Sequence, residues 1–348
     1  MKRKIAMGIV AIVVVAAAGG VWYDTHHPTT KPQSNSHTPT PTPKAKTAPL
    51  DPLTIEAMRT RGYKASPITT TQSLGNQGGY TNAVVSFVSD GLTEYALQST
   101  PTSPPPAGGY PAIILMHGYI QPTQYRTTSG DYHDFIAAWA RAGFVVIKPD
   151  YRGVGQSQGT ATSGHYAPDD TYDIMNLIAS VKQYSLVNPG RIGTFGHSLG
   201  GHIALNVADI SPDVKATVIA NGVVGSMYDF FYNWPHSPAP NDQPTATVTA
   251  ELQKLLADHG TPKSNPDFYN QASAINYVSM IKGPVQVNHD VGDSTVPFSF
   301  SQHLNDALIA AHKNVTFYQY PGDDHQFSSA GNHQLLIEHS TAFFQANL

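Results

Sequence analysis

The run Arg191-Ile192-Gly193-Thr194-Phe195 leads directly into Gly196-His197-Ser198-Leu199-Gly200, and a helix-like segment, Gly201 to Ala208, follows at once. An apolar strand that reverses into a helix within one pentapeptide leaves few architectures open. Side-chain bulk on either flank of so sharp a turn collides, which accounts for a glycine on each side. The residue at the apex is pushed into a strained backbone, with its side chain lifted clear of the sheet. Here that residue is Ser198. Its hydroxyl stands at a helix N-terminus, where unpaired amides and the helix dipole favour negative charge. The segment predicts a strand–nucleophile–helix elbow.

The rest of the chain supports that architecture. Apolar runs at 112–116, 144–147, 192–195, 216–220, 285–287 and 315–320 alternate with helix-like segments at 132–142, 171–185, 300–312 and 333–346. Strands apolar on both faces and separated by helices imply a mostly parallel sheet with helices on both faces, an α/β fold. Ahead of them, 84–88 and 92–97 flank Asp90-Gly91 and read as an antiparallel hairpin. An insertion at about 223–282 breaks the alternation. It holds Tyr228, Phe230, Phe231, Tyr232 and Trp234, a proline-rich loop and a helix at 249–259. An insertion at this place is expected to cover the C-terminal strand ends as a lid, with its aromatic residues favouring apolar or aromatic acyl groups.

Composition narrows the class. The chain has 348 residues and no cysteine, so disulfides, thiolate metal sites and a cysteine nucleophile are excluded. A formal net charge of -4 offers no basic surface for nucleic acid. Met1-Lys2-Arg3-Lys4 precedes an uncharged apolar run at 5–21, then Trp22 and Tyr23. Residues 1–23 therefore read as a signal peptide or a single membrane anchor, and Ala16-Ala17-Ala18 offers a cleavage site. Either reading expects export, to the extracellular side or the outer face of the cytoplasmic membrane. Residues 24–52, rich in proline and threonine, read as a disordered tether. The catalytic domain is then 53–348.

A serine hydroxyl needs a base, and the base needs a carboxylate to orient it. After a nucleophile elbow the acid and then the histidine follow in chain order. His303, His312, His333 and His339 fall in helix-like segments and read as surface positions. His325 instead sits in Pro321-Gly322-Asp323-Asp324-His325-Gln326-Phe327, just past a strand, where open parallel sheets gather their sites. His325 is the expected base. Asp290 and Asp293 both stand at the end of strand 285–288, and Asp293 is the preferred acid. Asp323 and Asp324 read as loop-forming. The backbone amides of Leu199 and Tyr119, the latter in the loop His117-Gly118-Tyr119-Ile120, are the expected oxyanion donors. No metal motif is present, and the glycines of 152–159 do not follow a nucleotide-loop order. No cofactor is expected.

From about Thr81 onward the chain resembles the α/β-hydrolase superfamily. It is most similar to prolyl oligopeptidase catalytic domains and to the related acyl esterases and dienelactone-hydrolase-like enzymes. The resemblance rests on Ser89-Asp90-Gly91, His117-Gly118-Tyr119, Asp150-Tyr151-Arg152-Gly153, Gly196 to Gly201, His289 to Asp293 with Val296-Pro297, and Gly322 with His325 and Phe327. It implies a Ser198–Asp293–His325 triad with the amides of Tyr119 and Leu199 as oxyanion hole. Asp290 departs from the pattern, standing where the family carries glycine. The chain is too short to hold the propeller of the larger oligopeptidases as well. The expectation is a serine hydrolase of carboxylic esters, with a small ester or short peptide as its partner. The alternatives are a serine peptidase of the prolyl oligopeptidase type and, from a different class, a non-catalytic binding module on the same scaffold.

Overall fold

A computed structural model describes residues 49–162, 164–235 and 249–348. The leader, residues 24–48 of the tether and positions 236–248 of the insertion lie outside the described residues. Residues Pro49–Leu348 form one unit.

Among the described residues nine strands build one sheet: β1 Thr69–Asn76, β2 Tyr80–Ser89, β3 Leu92–Pro101, β4 Tyr110–Met116, β5 Val145–Pro149, β6 Val187–His197, β7 Val214–Ala220, β8 Val285–Asp290 and β9 Val315–Tyr320. Their order is β1-β2-β3-β5-β4-β6-β7-β8-β9. β1, β2 and β3 form an antiparallel meander that meets β5 antiparallel, and β5 to β9 run parallel. Asp90 and Gly91 both take the left-handed conformation that a two-residue hairpin turn requires (φ 48° and 87°). β4, Tyr-Pro-Ala-Ile-Ile-Leu-Met, is buried at every position because helices cover both its faces. β1 is exposed and polar, and the sequence pattern did not reveal it.

Among the described residues nine α-helices complete the layers: α1 Ile55–Thr60, α2 His133–Arg141, α3 Asp169–Val181, α4 Leu199–Ile210, α5 Met227–Tyr232, α6 Ala250–His259, α7 Pro266–Gln271, α8 Phe298–Ala310 and α9 Ala330–Asn347. α2 and α9 pack with Phe195 and Ile113 in one core, through Phe135, Trp139, Leu336 and Phe344. α1, α3, α4 and α8 build the larger core around Met58, Ile174, Ile203 and Leu304. β5 adds to one side of β4 and β6 to the other. This reversal of strand order opens a crevice at the C-terminal ends of β4 and β6, where α/β sheets bind their ligands.

Candidate active site

Ser198 lies in that crevice with φ 55° and ψ −119°, a strained conformation for a residue with a side chain. The surroundings enforce it. The Ser198 amide donates to the Ala220 carbonyl (3.1 Å) and its carbonyl accepts from Val223 (3.0 Å). A Cβ on Gly196 would lie 2.1 Å from the Gly200 oxygen, and one on Gly200 would lie 2.0 Å from the Met116 oxygen. The elbow glycines thus serve backbone-to-backbone contact. α4 is buried along its whole length, so the elbow rests on an immobile support.

Ser198 Oγ is 2.8 Å from His325 Nε2, and His325 Nδ1 is 2.7 Å from Asp293 Oδ2. The other Asp293 oxygen accepts the amides of Thr295 (2.8 Å) and Val296 (3.0 Å). The fully buried His289 places Nε2 3.5 Å from Asp293 Oδ2. Burial opposes charge on Asp293. Hydrogen bonds from His289, His325 and Val296 outweigh it and hold the carboxyl well below its usual range. An ionised Asp293 accepts a hydrogen bond from the His325 Nδ1–H, which leaves Nε2 of the neutral ring facing the serine as an acceptor.

The competing acids have other partners. Asp290 Oδ1 accepts the amides of Gly292 (2.7 Å) and Asp323 (3.1 Å), tying two loops together. Asp323 caps Ser329, and Asp324 accepts from Gln326 and Ser328, so both shape the loop that carries His325.

Two backbone amides border the serine. Leu199 opens α4, and the first amides of a helix have no acceptor within it. Tyr119 follows Gly118, which abuts Ser198: a Cβ there would lie 3.2 Å from Ser198 Cβ. The Gly118 carbonyl is 2.7 Å from His117 Nδ1. The His117 ring lies between Tyr125 and Tyr151 (centroids 4.7 and 4.3 Å away). Burial lowers its pKa to about 3, so it is neutral and donates from Nδ1. With the carbonyl fixed, the trans peptide turns the Tyr119 N–H to the opposite side.

A cavity of about 620 Å³ opens beside Ser198 and His325. Phe135, Phe195, Phe327 and Leu336 give it an apolar floor, and Asp131, His133, Asp134 and His333 line its wall. No lysine or arginine lines it among the described residues. This departs from two expectations. Phe230 and Phe231 are 1% exposed and belong to the core, and Trp234 donates to the Thr295 carbonyl (2.7 Å). Phe230, Phe231 and Trp234 therefore pack away from the cavity, Tyr228 is exposed, and none of the insertion's five named aromatic residues lines the cavity. His333 is not a plain surface residue either. α9 begins close to α2, so His333 meets Phe135 edge-on (5.0 Å) and faces the cavity. His339 stacks on Tyr318 (3.9 Å).

Four residues in the site's framework carried no assignment from sequence: Tyr132, His197, Asn221 and His289. Asn221, at φ 42°, accepts the Asp290 amide (2.8 Å) and donates to the His325 carbonyl (3.0 Å), joining the ends of β7, β8 and β9. His197, inside the elbow motif, and His289, at the head of the segment His289 to Asp293, had a signal to follow.

Comparison with known proteins places this geometry. Residues 132–348 match the prolyl oligopeptidase family. An uncharacterized peptidase of Bacillus subtilis, YtmA, is 25% identical over 252 residues, which cover 72% of this chain and 89% of that protein. Acetyl xylan esterase 1 of Thermoanaerobacterium superposes at a TM-score of 0.59 with 21% identity, over 84% of this chain and 90% of the esterase. A puromycin-hydrolyzing peptidase of Mycobacterium tuberculosis superposes at 0.61 with 21% identity, over 78% of this chain but 40% of the peptidase. At these identities the two structures show the shared fold.

Proposed function

The chain belongs to the prolyl oligopeptidase family and is a serine hydrolase; we propose that it cleaves carboxylic esters through an acyl-enzyme formed on Ser198. The observation that carries this reading is the unbroken path from Ser198 Oγ to His325 to Asp293, at 2.8 and 2.7 Å. His325 Nε2 takes the hydroxyl proton as Oγ attacks the carbonyl carbon. The amides of Leu199 and Tyr119 receive the developing oxyanion. Asp293 stabilises the imidazolium. Collapse of the intermediate expels the alcohol, which leaves with the proton from Nε2. Water then repeats the sequence and releases the acid.

Ester is preferred because, of the two solved structures, the chain follows the acetyl xylan esterase over nine tenths of that protein and the peptidase over two fifths; the uncharacterized peptidase YtmA, covered to 89%, weighs for the second reading. A peptidase is the second reading, favoured by Asp131 and Asp134 on the cavity wall, which suit the ammonium group of an aminoacyl substrate. A panel of p-nitrophenyl esters and aminoacyl- or prolyl-p-nitroanilides decides between them, with Ser198→Ala as control. Ester turnover that vanishes in the variant supports the proposal. Anilide turnover alone moves the substrate to the peptide class, and full activity in Ser198→Ala ends the mechanism. The proposal extends to export, on the basic start and apolar run of residues 2–21; N-terminal sequencing of secreted and membrane-bound protein tests it.

A further inference from the structure

Three hydrogen bonds cross the floor of the site in series. The Gly118 amide is 2.8 Å from Tyr132 Oη, Tyr132 Oη is 2.7 Å from His197 Nδ1, and His197 Nε2 is 2.8 Å from the His325 carbonyl oxygen. The two ends fix every proton between them. A carbonyl only accepts, so His197 Nε2 carries the hydrogen. Burial lowers the His197 pKa to about 4, with the neighbouring His325 adding to the effect, so the ring is neutral and Nδ1 is bare. Nδ1 therefore accepts the Tyr132 hydroxyl proton, and the tyrosine oxygen accepts from Gly118. Each polar group is satisfied in one arrangement.

The members come from three separate loops: the end of β4, the elbow, and the loop after β9. Tyr132 reaches in from the left-handed residue that caps α2 (φ 64°). The fit is close, because a Cβ on Gly118 would lie 3.1 Å from His197 Nδ1 and 3.2 Å from Tyr132 Oη. None of these side chains touches Ser198 Oγ in the hydrogen-bond network.

We propose that Tyr132 and His197 are positioning residues that tie the His117–Gly118 peptide, whose neighbour Gly118–Tyr119 carries the oxyanion donor, to the backbone of the loop bearing the catalytic base. The relay sets the distance between the two halves of the machinery. Its loss leaves the Gly118 backbone held by the His117 contact to its carbonyl alone, which loosens the oxyanion peptide while the substrate cavity stays open. The inference rests on Ser198 being the nucleophile.

The test uses Tyr132→Phe, His197→Gln and the double variant, in the full chain. Phe keeps the ring and removes one hydroxyl. Gln keeps a donor for the His325 carbonyl and removes the Nδ1 acceptor. Each single variant should lower kcat on a p-nitrophenyl ester by about tenfold to a hundredfold, with KM within about twofold. The inhibition constant of a boronic acid, which forms a tetrahedral adduct on serine, should rise by the same factor as kcat falls. Both changes cut the Tyr132–His197 bond and so break the same relay, and the double variant should lose no more than the worse single. A thermal midpoint shows that each variant is folded. If Tyr132→Phe does not fold, His197→Gln carries the test with the same two readouts. Unchanged kcat and boronate affinity, or losses that multiply in the double variant, overturn the relay. Ser198→Ala is assayed in parallel: an active Ser198→Ala refutes the nucleophile, whereas an inactive one beside an undisturbed Tyr132→Phe refutes the relay alone.

Discussion

Asp293→Asn tests the chemistry with almost no change in shape. The asparagine amide can face either way. With its nitrogen toward the amides of Thr295 and Val296, now 2.8 and 3.0 Å from a carboxylate oxygen, donor meets donor twice. Two hydrogen bonds to a charged acceptor are then lost, at roughly 1.5–3 kcal/mol each. With the nitrogen toward His325, both backbone bonds survive, the His325 contact reverses and the longer His289 contact (3.5 Å) is lost. The second orientation wins by a few kcal/mol on that comparison. It presents an N–H to His325 Nδ1, so the imidazole must move its proton to Nε2. Nε2–H then points at Ser198 Oγ and cannot accept its proton. The expected loss in kcat is on the order of 10⁴, or about 5.5 kcal/mol of transition-state stabilisation. KM should change little, and circular dichroism should show a native fold. The assay is steady-state hydrolysis of p-nitrophenyl acetate between pH 6 and 9. A loss smaller than about tenfold across that range would refute the tautomer argument.

Three further outcomes follow from the structure. Gly200→Ala should cost more than about 3 kcal/mol in urea unfolding, because its Cβ would lie 2.0 Å from the Met116 oxygen and 2.8 Å from the His117 oxygen, and neither backbone atom can yield. Esters with a carboxylate in the acyl group should turn over at least about tenfold more slowly than their amide analogues, since Asp131 and Asp134 face the cavity without a lysine or arginine; the difference should shrink in the Asp131→Asn, Asp134→Asn double variant. Asp170 has its pKa raised to about 8, by burial first and by Asp173 second. Between the ordinary carboxyl range and that value the folded chain holds a proton that the unfolded chain has released, so its contribution to stability falls as pH rises. Asp170→Asn should therefore melt progressively above the parent as pH climbs from 5 to 8, and a constant difference would rule this out.

The candidate nucleophile, acid and base could be read from sequence because each sits where a strand ends, and strand ends are marked locally. The apolar run before Gly196, the run before Asp290 and the run before Pro321 all announce their own termini. The order of the three along the chain then follows from the sheet. What stayed hidden depends on contacts distant in sequence. Phe230 and Phe231 have the composition of a lid, but whether an aromatic ring faces a cavity or Phe300 is decided by neighbours some 70 positions away. Tyr132 reads as an ordinary residue at a helix start, and only the fold brings its hydroxyl to His197. β1 was missed for a simpler reason: an exposed edge strand of threonine, glutamine and serine has no alternation to detect.

The burial of α4 on every side has a consequence for how this protein can change over generations. A substitution in 199–210 meets packed atoms whatever its direction, so nearly all of them reduce stability. The cavity wall at Asp131 and Asp134 is different. It hangs from the exposed start of a helix, where exchanges are close to neutral. Descendants of this chain can therefore drift toward new substrates by altering the wall, while the bond-breaking apparatus is inherited almost untouched.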